Sequence, residues 1–167
     1  MTDIDDIAAR LRRLEDERDI AHLIASYGPA VDAANADAAA ALWDENGCYD
    51  VENWSMQSRA DVHAMVSSTL HRDLVAKGCC HFIGPSVVTV TGDAAVAVSE
   101  SLVLLRDGAS YRVWRSAANH FELRRIDGDW RISKRISRVL DGRPAAHALL
   151  NSGLAGASAP DMDIAAQ

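Results

Sequence analysis

Over the first 34 residues, the apolar positions Ile7, Leu11, Leu14, Ile20, Leu23, Ile24, Tyr27 and Val31 recur at steps of three and four. That is the period of a helix burying one face. Pro29 has no N–H and crowds the preceding turn, so with Gly28 it predicts a kink or a fresh turn just before Asp32. Asn35, Asp37 and the alanine run ending in Leu42 and Trp43 predict a short capped second helix. Residues 48–51 lean toward a strand, and the polar residues 53–58 read as a loop. From Arg59 the helical spacing returns at Val62, Met65, Val66, Leu70 and Leu74, and it stops at Gly78, which suits a left-handed C-terminal cap.

After Gly78 the period changes. Strands are predicted over 80–91, 95–106, 110–125 and 130–140, separated by Thr91-Gly92-Asp93, Asp107-Gly108 and Asp127-Gly128-Asp129. Asp-Gly pairs between apolar runs are strong hairpin signals. Helices followed by an antiparallel meander predict an α+β fold with the helices on one face of a curved sheet. Residues 1–143 form the expected domain. Residues 144–167 form an extension, with a short helix over 144–150 and then a flexible tail or one ordered by a partner subunit.

Composition narrows the function. At 167 residues with 49% hydrophobic positions, one buried core is expected. A net charge of -7 opposes attraction to phosphate backbones and anionic membranes, so neither nucleic acid nor a membrane is an expected partner. Cys48, Cys79 and Cys80 are odd in number and include an adjacent pair, which suits a reducing cytoplasm better than a disulfide framework. The chain opens on Asp3, Asp5 and Asp6 with no apolar signal segment, so a soluble cytoplasmic protein is expected. No GxGxxG, P-loop, GxSxG, HExxH or CxxC motif is present, and neither a cofactor nor a metal site is expected.

The remaining chemistry lies in isolated polar residues. Asp32 falls in the last turn of the first helix, where the helix dipole disfavours a carboxylate by about 0.3–1 kcal/mol. His81 begins a β-branched run in which alternation groups it with Ile83, Val87 and Thr89. If Asp32 accepts from one ring nitrogen of His81, the other nitrogen becomes a general base; the alternative is a satisfied core histidine and a solvated carboxylate. Asn119 shares parity with Val113, Phe121 and Leu123, in either a substrate-orienting or a structural role. Arg135 shares parity with Arg131 and Ser133, facing solvent or a polar mouth. Trp54 sits in a loop able to roof a cavity, Met65 and Phe82 are candidates for shaping it, and His22, His63, His71, His120 and His147 read mostly as surface residues.

Three stretches carry a family resemblance. They are Leu14-Glu15-Asp16-Glu17-Arg18-Asp19-Ile20 with Tyr27 and Asp32 beyond it, Cys80-His81-Phe82-Ile83-Gly84, and Ile126 to Arg135 around Asp127-Gly128-Asp129-Trp130. Together, over about residues 7–140, the chain resembles SnoaL-like proteins of the cystatin-like cone fold, the fold of nuclear transport factor two. The closest motifs are those of scytalone dehydratase and hexachlorocyclohexane dehydrochlorinase. The resemblance implies a cone with an apolar cavity and a catalytic pair matching Asp32 and His81. Tyr27 stands where the dehydrochlorinase has a lysine, which disfavours chloride elimination, and Arg135 matches an arginine of its last strand. The activity this resemblance implies is that of a cofactor-independent, dehydratase-like lyase, in which Tyr27 and Tyr49 polarise an oxygen and Asn119 orients a small apolar cyclic or carbonyl substrate. An isomerase or cyclase, a non-catalytic binding cone, or a small dioxygenase subunit are the alternatives. Open curved sheets tend to cover their outer face by self-association, and Trp114 with its apolar neighbours offers such a surface, so a homo-oligomer, trimer or dimer, is expected.

Overall fold

A computed structural model describes residues 3–52 and 54–160 of the chain. The elements run α1 (Asp3–Asp32), α2 (Ala36–Ala40), β1 (Trp43–Val51), β2 (Trp54–Met56), α3 (Arg59–Ser67), α4 (Thr69–Lys77), β3 (Cys79–Ile83), β4 (Val87–Thr91), β5 (Ala94–Asp107), β6 (Ser110–Ile126), β7 (Asp129–Val139) and α5 (Pro144–Leu154). One seven-stranded sheet has the order β2-β1-β7-β6-β5-β3, with β4 also paired to β5. All pairings are antiparallel except β1 with β7. The α+β prediction holds.

Several boundaries differ from the pattern reading, each for a local reason. The third helix is two: Ser68 turns extended (φ −64°, ψ 150°), and its hydroxyl caps α4 by accepting from the His71 N–H. The run 80–91 breaks at Gly84-Pro85-Ser86 into β3 and β4, because proline cannot donate to the ladder. The break also changes the facing: Val88 and Val90 pack on the core, while Val87 is exposed. The polar stretch 53–58 is not all loop, since it contains β2, which pairs antiparallel with β1; Asn53 lies outside the described residues. β1 itself starts at Trp43, where the sequence pattern ends a helix.

Only the second half of α1 belongs to the core. Ile20, Ile24 and Val31 are buried, whereas the predicted stripe members Ile7, Leu11 and Leu14 are exposed. The helix is tied to the sheet by Asp16, whose Oδ1 accepts from Arg125 Nη2 at 2.7 Å and from Trp130 Nε1 at 3.2 Å. Asp16→Ala strands the buried Trp130 N–H and takes one of three partners from Arg125, which keeps Asp93 and the Gly128 carbonyl, and is expected to cost about 1–3 kcal/mol. A chemical-denaturation midpoint would measure this, and an unchanged midpoint would show the link to be idle.

α5 sits on the opposite face of the sheet from α1. Its Ala146 and Leu149 pack with Ala118 and Ile136, and Gly153 lies so close to Val98 that a Cβ there would approach its side chain to 2.4 Å. The helix runs four residues past the predicted 150, to Leu154, with its last close contact on the sheet at Gly153. Residues 155–160 run along the sheet: His120 Nε2 donates to the Ala157 carbonyl at 2.9 Å, and the Ala159 N–H donates to Glu122. The last seven residues of the expected tail lie outside the described residues.

A candidate Asp-His active site

The contact that positions the site is between α1 and β3. Gly28 lies against the backbone of His81, where an added Cβ would stand 2.2 Å from the His81 carbonyl oxygen. With no side chain at Gly28, the helix can settle directly on the strand, and Asp32, one turn later, reaches the same residue. Its Oδ2 accepts from the His81 N–H at 2.8 Å, and its Oδ1 lies 2.6 Å from His81 Nδ1. The Cys79 thiol, two residues back on the same strand face, donates to Oδ1 at 3.6 Å.

A carboxylate that accepts at Nδ1 leaves Nε2 of the neutral imidazole as a free lone pair. Burial raises the Asp32 pKa, but the ring and backbone hydrogen bonds of His81, its charge and the Cys79 thiol outweigh burial, so the net shift is downward. Burial, together with the Asp32 charge, pushes the Cys79 thiol up to about 11, which keeps it a donor. Asp32, Cys79 and His81 also bring one potential metal-ligand atom each within 4.8 Å of one another. The 2.6 Å approach of Asp32 to His81 reads as a charge-assisted hydrogen bond instead.

The lowered pKa of Asp32 has a consequence for acid stability. The stabilisation is full above the unfolded carboxylate value of about 3.9 and is lost as pH falls through the lower folded value. Below about pH 4, wild type is therefore expected to lose stability faster than Asp32→Asn. Parallel curves in a pH series of denaturation midpoints would contradict this.

His81 lines a cavity of about 440 Å³ whose apolar walls include Trp54, Met65, Leu70, Leu74 and Trp114. Met65 and Trp54 are both part of this lining, Trp54 half-exposed. Phe82 is not: it alternates away from His81 and is 53% exposed, so it is withdrawn as a cavity residue.

Deeper in the core, Tyr27, Tyr49 and Trp43 pack edge-on or tilted at centroid distances of 5.6–6.2 Å. Burial and the neighbouring Tyr49 push the Tyr27 phenol well up, against the pull of Arg135 and Arg115, so it remains a hydrogen-bond donor. Arg135 is the largest correction. It is neither in solvent nor at a polar mouth: at 3% exposure its guanidinium lies 4.4 Å from the Tyr27 and Tyr49 rings and 5.1 Å from Phe121. The cause is a β-bulge. Ile132 pairs with Leu123 and Lys134 with Glu122, so Ser133 is an extra residue, and simple alternation fails beyond it. Arg135 consequently shares the inner face with Trp130 and Ile132, and Ile136 points at α5.

Asn119 is fully committed to protein partners. Its Oδ1 accepts from Arg135 Nε and Nη2 at 3.2 and 2.8 Å, and its Nδ2 donates to Ser101 Oγ and the Ala117 carbonyl. It orients Arg135, and the expectation that it orients substrate directly is revised accordingly.

Two residues escaped the sequence reading. His71, which reads as a surface histidine in the sequence, is buried, lines the same cavity and lies 5.9 Å from the His81 ring. Its Nε2 donates to the Val31 carbonyl at 2.9 Å, which leaves Nδ1 unprotonated in the neutral ring. The clue is Ser68, a capping residue inside an apparently continuous helix, three positions before His71. Arg115 is legible from alternation, since Phe121 and Asn119 lead back through Ala117 to it.

Comparison with known proteins agrees with this architecture. Residues 12–136 match the family model of the SnoaL-like domain. An NTF2-like protein with a cystatin-like fold from Novosphingobium aromaticivorans is 42% identical, covering 90% of this chain and 98% of its own, with a TM-score of 0.87. A protein of unknown function from Mycobacterium tuberculosis is 22% identical over 99% of this chain and 88% of its own, with a TM-score of 0.67. A candidate scytalone dehydratase from Novosphingobium aromaticivorans is 17% identical over 76% of this chain and 85% of its own, with a TM-score of 0.63. No curated protein matches the chain. None of the described helices is long and apolar enough to cross a membrane. With three quarters of its length matched by the family model and its sheet and helices arranged as in these relatives, the chain belongs to the SnoaL-like family of the cystatin-like fold.

Proposed function

We propose that this protein is a cofactor-independent lyase of the dehydratase type, in which His81 removes a carbon-bound proton from a small, mainly apolar carbonyl or cyclic substrate. The observation that carries the reading is the two-point hold of Asp32 on His81, at 2.8 Å to its N–H and 2.6 Å to Nδ1, with the ring on the wall of an apolar cavity.

In this reading the free Nε2 of His81 takes the proton, and the imidazolium that forms is stabilised by Asp32. The C–H electron pair becomes the new double bond as the β-hydroxyl leaves, and the proton held by the imidazolium completes the departing water. Tyr27 and Tyr49 donate to the oxygen on which charge develops, with the Arg135 guanidinium 4.4 Å from both rings. An isomerase or cyclase would share the abstraction and differ only in where the proton or new bond goes.

The test needs no cognate substrate. A panel of cyclic ketones and β-hydroxy carbonyl compounds, incubated in D2O with the protein, is expected to include members that gain deuterium at the α-carbon. Exchange that survives unaltered in both Asp32→Asn and His81→Ala would rule out the mechanism.

A further inference from the structure

The geometry points to a ligand that carries an anionic oxygen group on its apolar body, with Arg135 and Arg115 as the groups that receive it. The inference rests on the reading that the cavity beside His81 is the substrate site, and it sharpens the substrate class from apolar to amphipathic anion.

The first observation is a buried cation without a counter-ion. Arg135 is 3% exposed, three aromatic rings surround its guanidinium, and its only hydrogen-bond acceptor among the described residues is the neutral Asn119. No carboxylate among the described residues pairs with it, and its Nη1 is buried without any partner. The contrast is Arg138, three residues on and 4% exposed, which is held by both oxygens of Asp50 at 3.1 and 2.8 Å. A folded chain rarely leaves a buried guanidinium unpaired, because desolvating the charge must be offset by something. The aromatic faces supply part of that.

Arg115 adds a second observation. It has no ion pair among the described residues, and its Nε is buried and unpartnered. In register it continues the row that begins at the dyad: His81 pairs with Val103, and Val103 with Arg115. Its guanidinium lies 5.8 Å from the ring of Trp114, which lines the cavity together with His81. Both arginines bear on Tyr27, which adjoins the Gly28–His81 contact. On the same inner face, buried Ser99 pairs across the strands with Asn119, and its Oγ also lacks a partner.

Together these groups offer guanidinium N–H donors and a hydroxyl with no protein partner on the inner face of the sheet, behind the Trp114 wall of a mainly apolar cavity whose lining also includes Asp73 and Lys77. Planar guanidinium groups match a carboxylate or an enolate oxygen better than a neutral carbonyl. An anionic head there would also hold the rest of the molecule toward the His81 side.

Matched pairs of probes decide the point: cyclohexanecarboxylate against its amide, and 1-naphthoate against its amide, titrated into the full chain and followed by protein-observed NMR. The carboxylate of each pair is expected to bind about tenfold or more tightly than the amide. Arg115→Met and Arg135→Met are each expected to bring the carboxylate down to the amide's affinity while leaving the amide unchanged. Should Arg135→Met not fold, Arg115→Met and the wild-type ratio carry the test alone. Equal binding of acid and amide, no saturable binding of either carboxylate, or wild-type carboxylate affinity in the arginine variants would overturn the inference. His81→Ala keeps both guanidiniums and is expected to keep the anion preference. Preserved preference without any proton exchange removes the lyase reading alone, and exchange without preference removes this inference alone.

Discussion

Replacing Gly28 with alanine is expected to disrupt both the fold and the site. The added Cβ would stand 2.2 Å from the His81 carbonyl oxygen and 3.4 Å from its carbon. Both are backbone atoms of a paired strand, so no side chain can swing aside. Either α1 lifts from β3 or the strand shifts, and the cost is on the order of 3 kcal/mol for a forced overpacking of this kind. In a chain of this size that corresponds to a Tm lowered by roughly 6–12 °C. The change also separates Asp32 from His81, so the ring and backbone hydrogen bonds should weaken together. A variant with wild-type Tm and an intact His81 tautomer would mean that the helix is not held as described.

The second large effect is on chemistry. His81→Ala removes the proposed base, and Asp32→Asn leaves the ring in place without the charge that fixes its tautomer and stabilises its protonated form. Each is expected to lower α-carbon deuterium exchange by about 10²- to 10⁴-fold, the range over which a positioned acid–base group contributes. Because the two act as a unit, the double variant should lose little more than either single one. In Asp32→Asn the amide that replaces the carboxylate can still hydrogen-bond, so the fold is expected to survive.

The architecture could be read from the sequence because it rests on periodicity. Steps of three and four marked α1 and the α3–α4 region, and the Asp-Gly turns marked the hairpins of β5, β6 and β7. The Asp32–His81 pairing is suggested by the helix-end carboxylate and the imidazole in an apolar strand and favoured by a resemblance in order and approximate spacing, and the structure brings the two into hydrogen-bond contact. Where the reading failed, one residue usually broke a period. Ser133 as a bulge reversed the facing of Arg135, Ser68 as a mid-run cap turned His71 inward, and Pro85 split a strand. Such irregularities depend on partner strands and are invisible to alternation counted along one segment. Two of them place side chains in or beside the candidate site, and the bulge at Ser133 fits the tendency of bulges to re-aim side chains near functional positions.

The exposed first half of α1 was misjudged for a different reason. Its apolar spacing is genuinely helical, but Ile7, Leu11 and Leu14 are left exposed among the described residues. Periodicity reports a helix face and not what the face meets.

Asp32 holds His81 with its Nδ1 protonated and Nε2 free. A long-range ¹⁵N–¹H spectrum of the histidine rings at pH 8 tests it directly. The arrangement requires His81 to appear as the Nδ1–H tautomer in wild type and to lose that preference in Asp32→Asn. An Nε2–H tautomer in wild type, or a His81 signal indifferent to Asp32→Asn, would contradict the account.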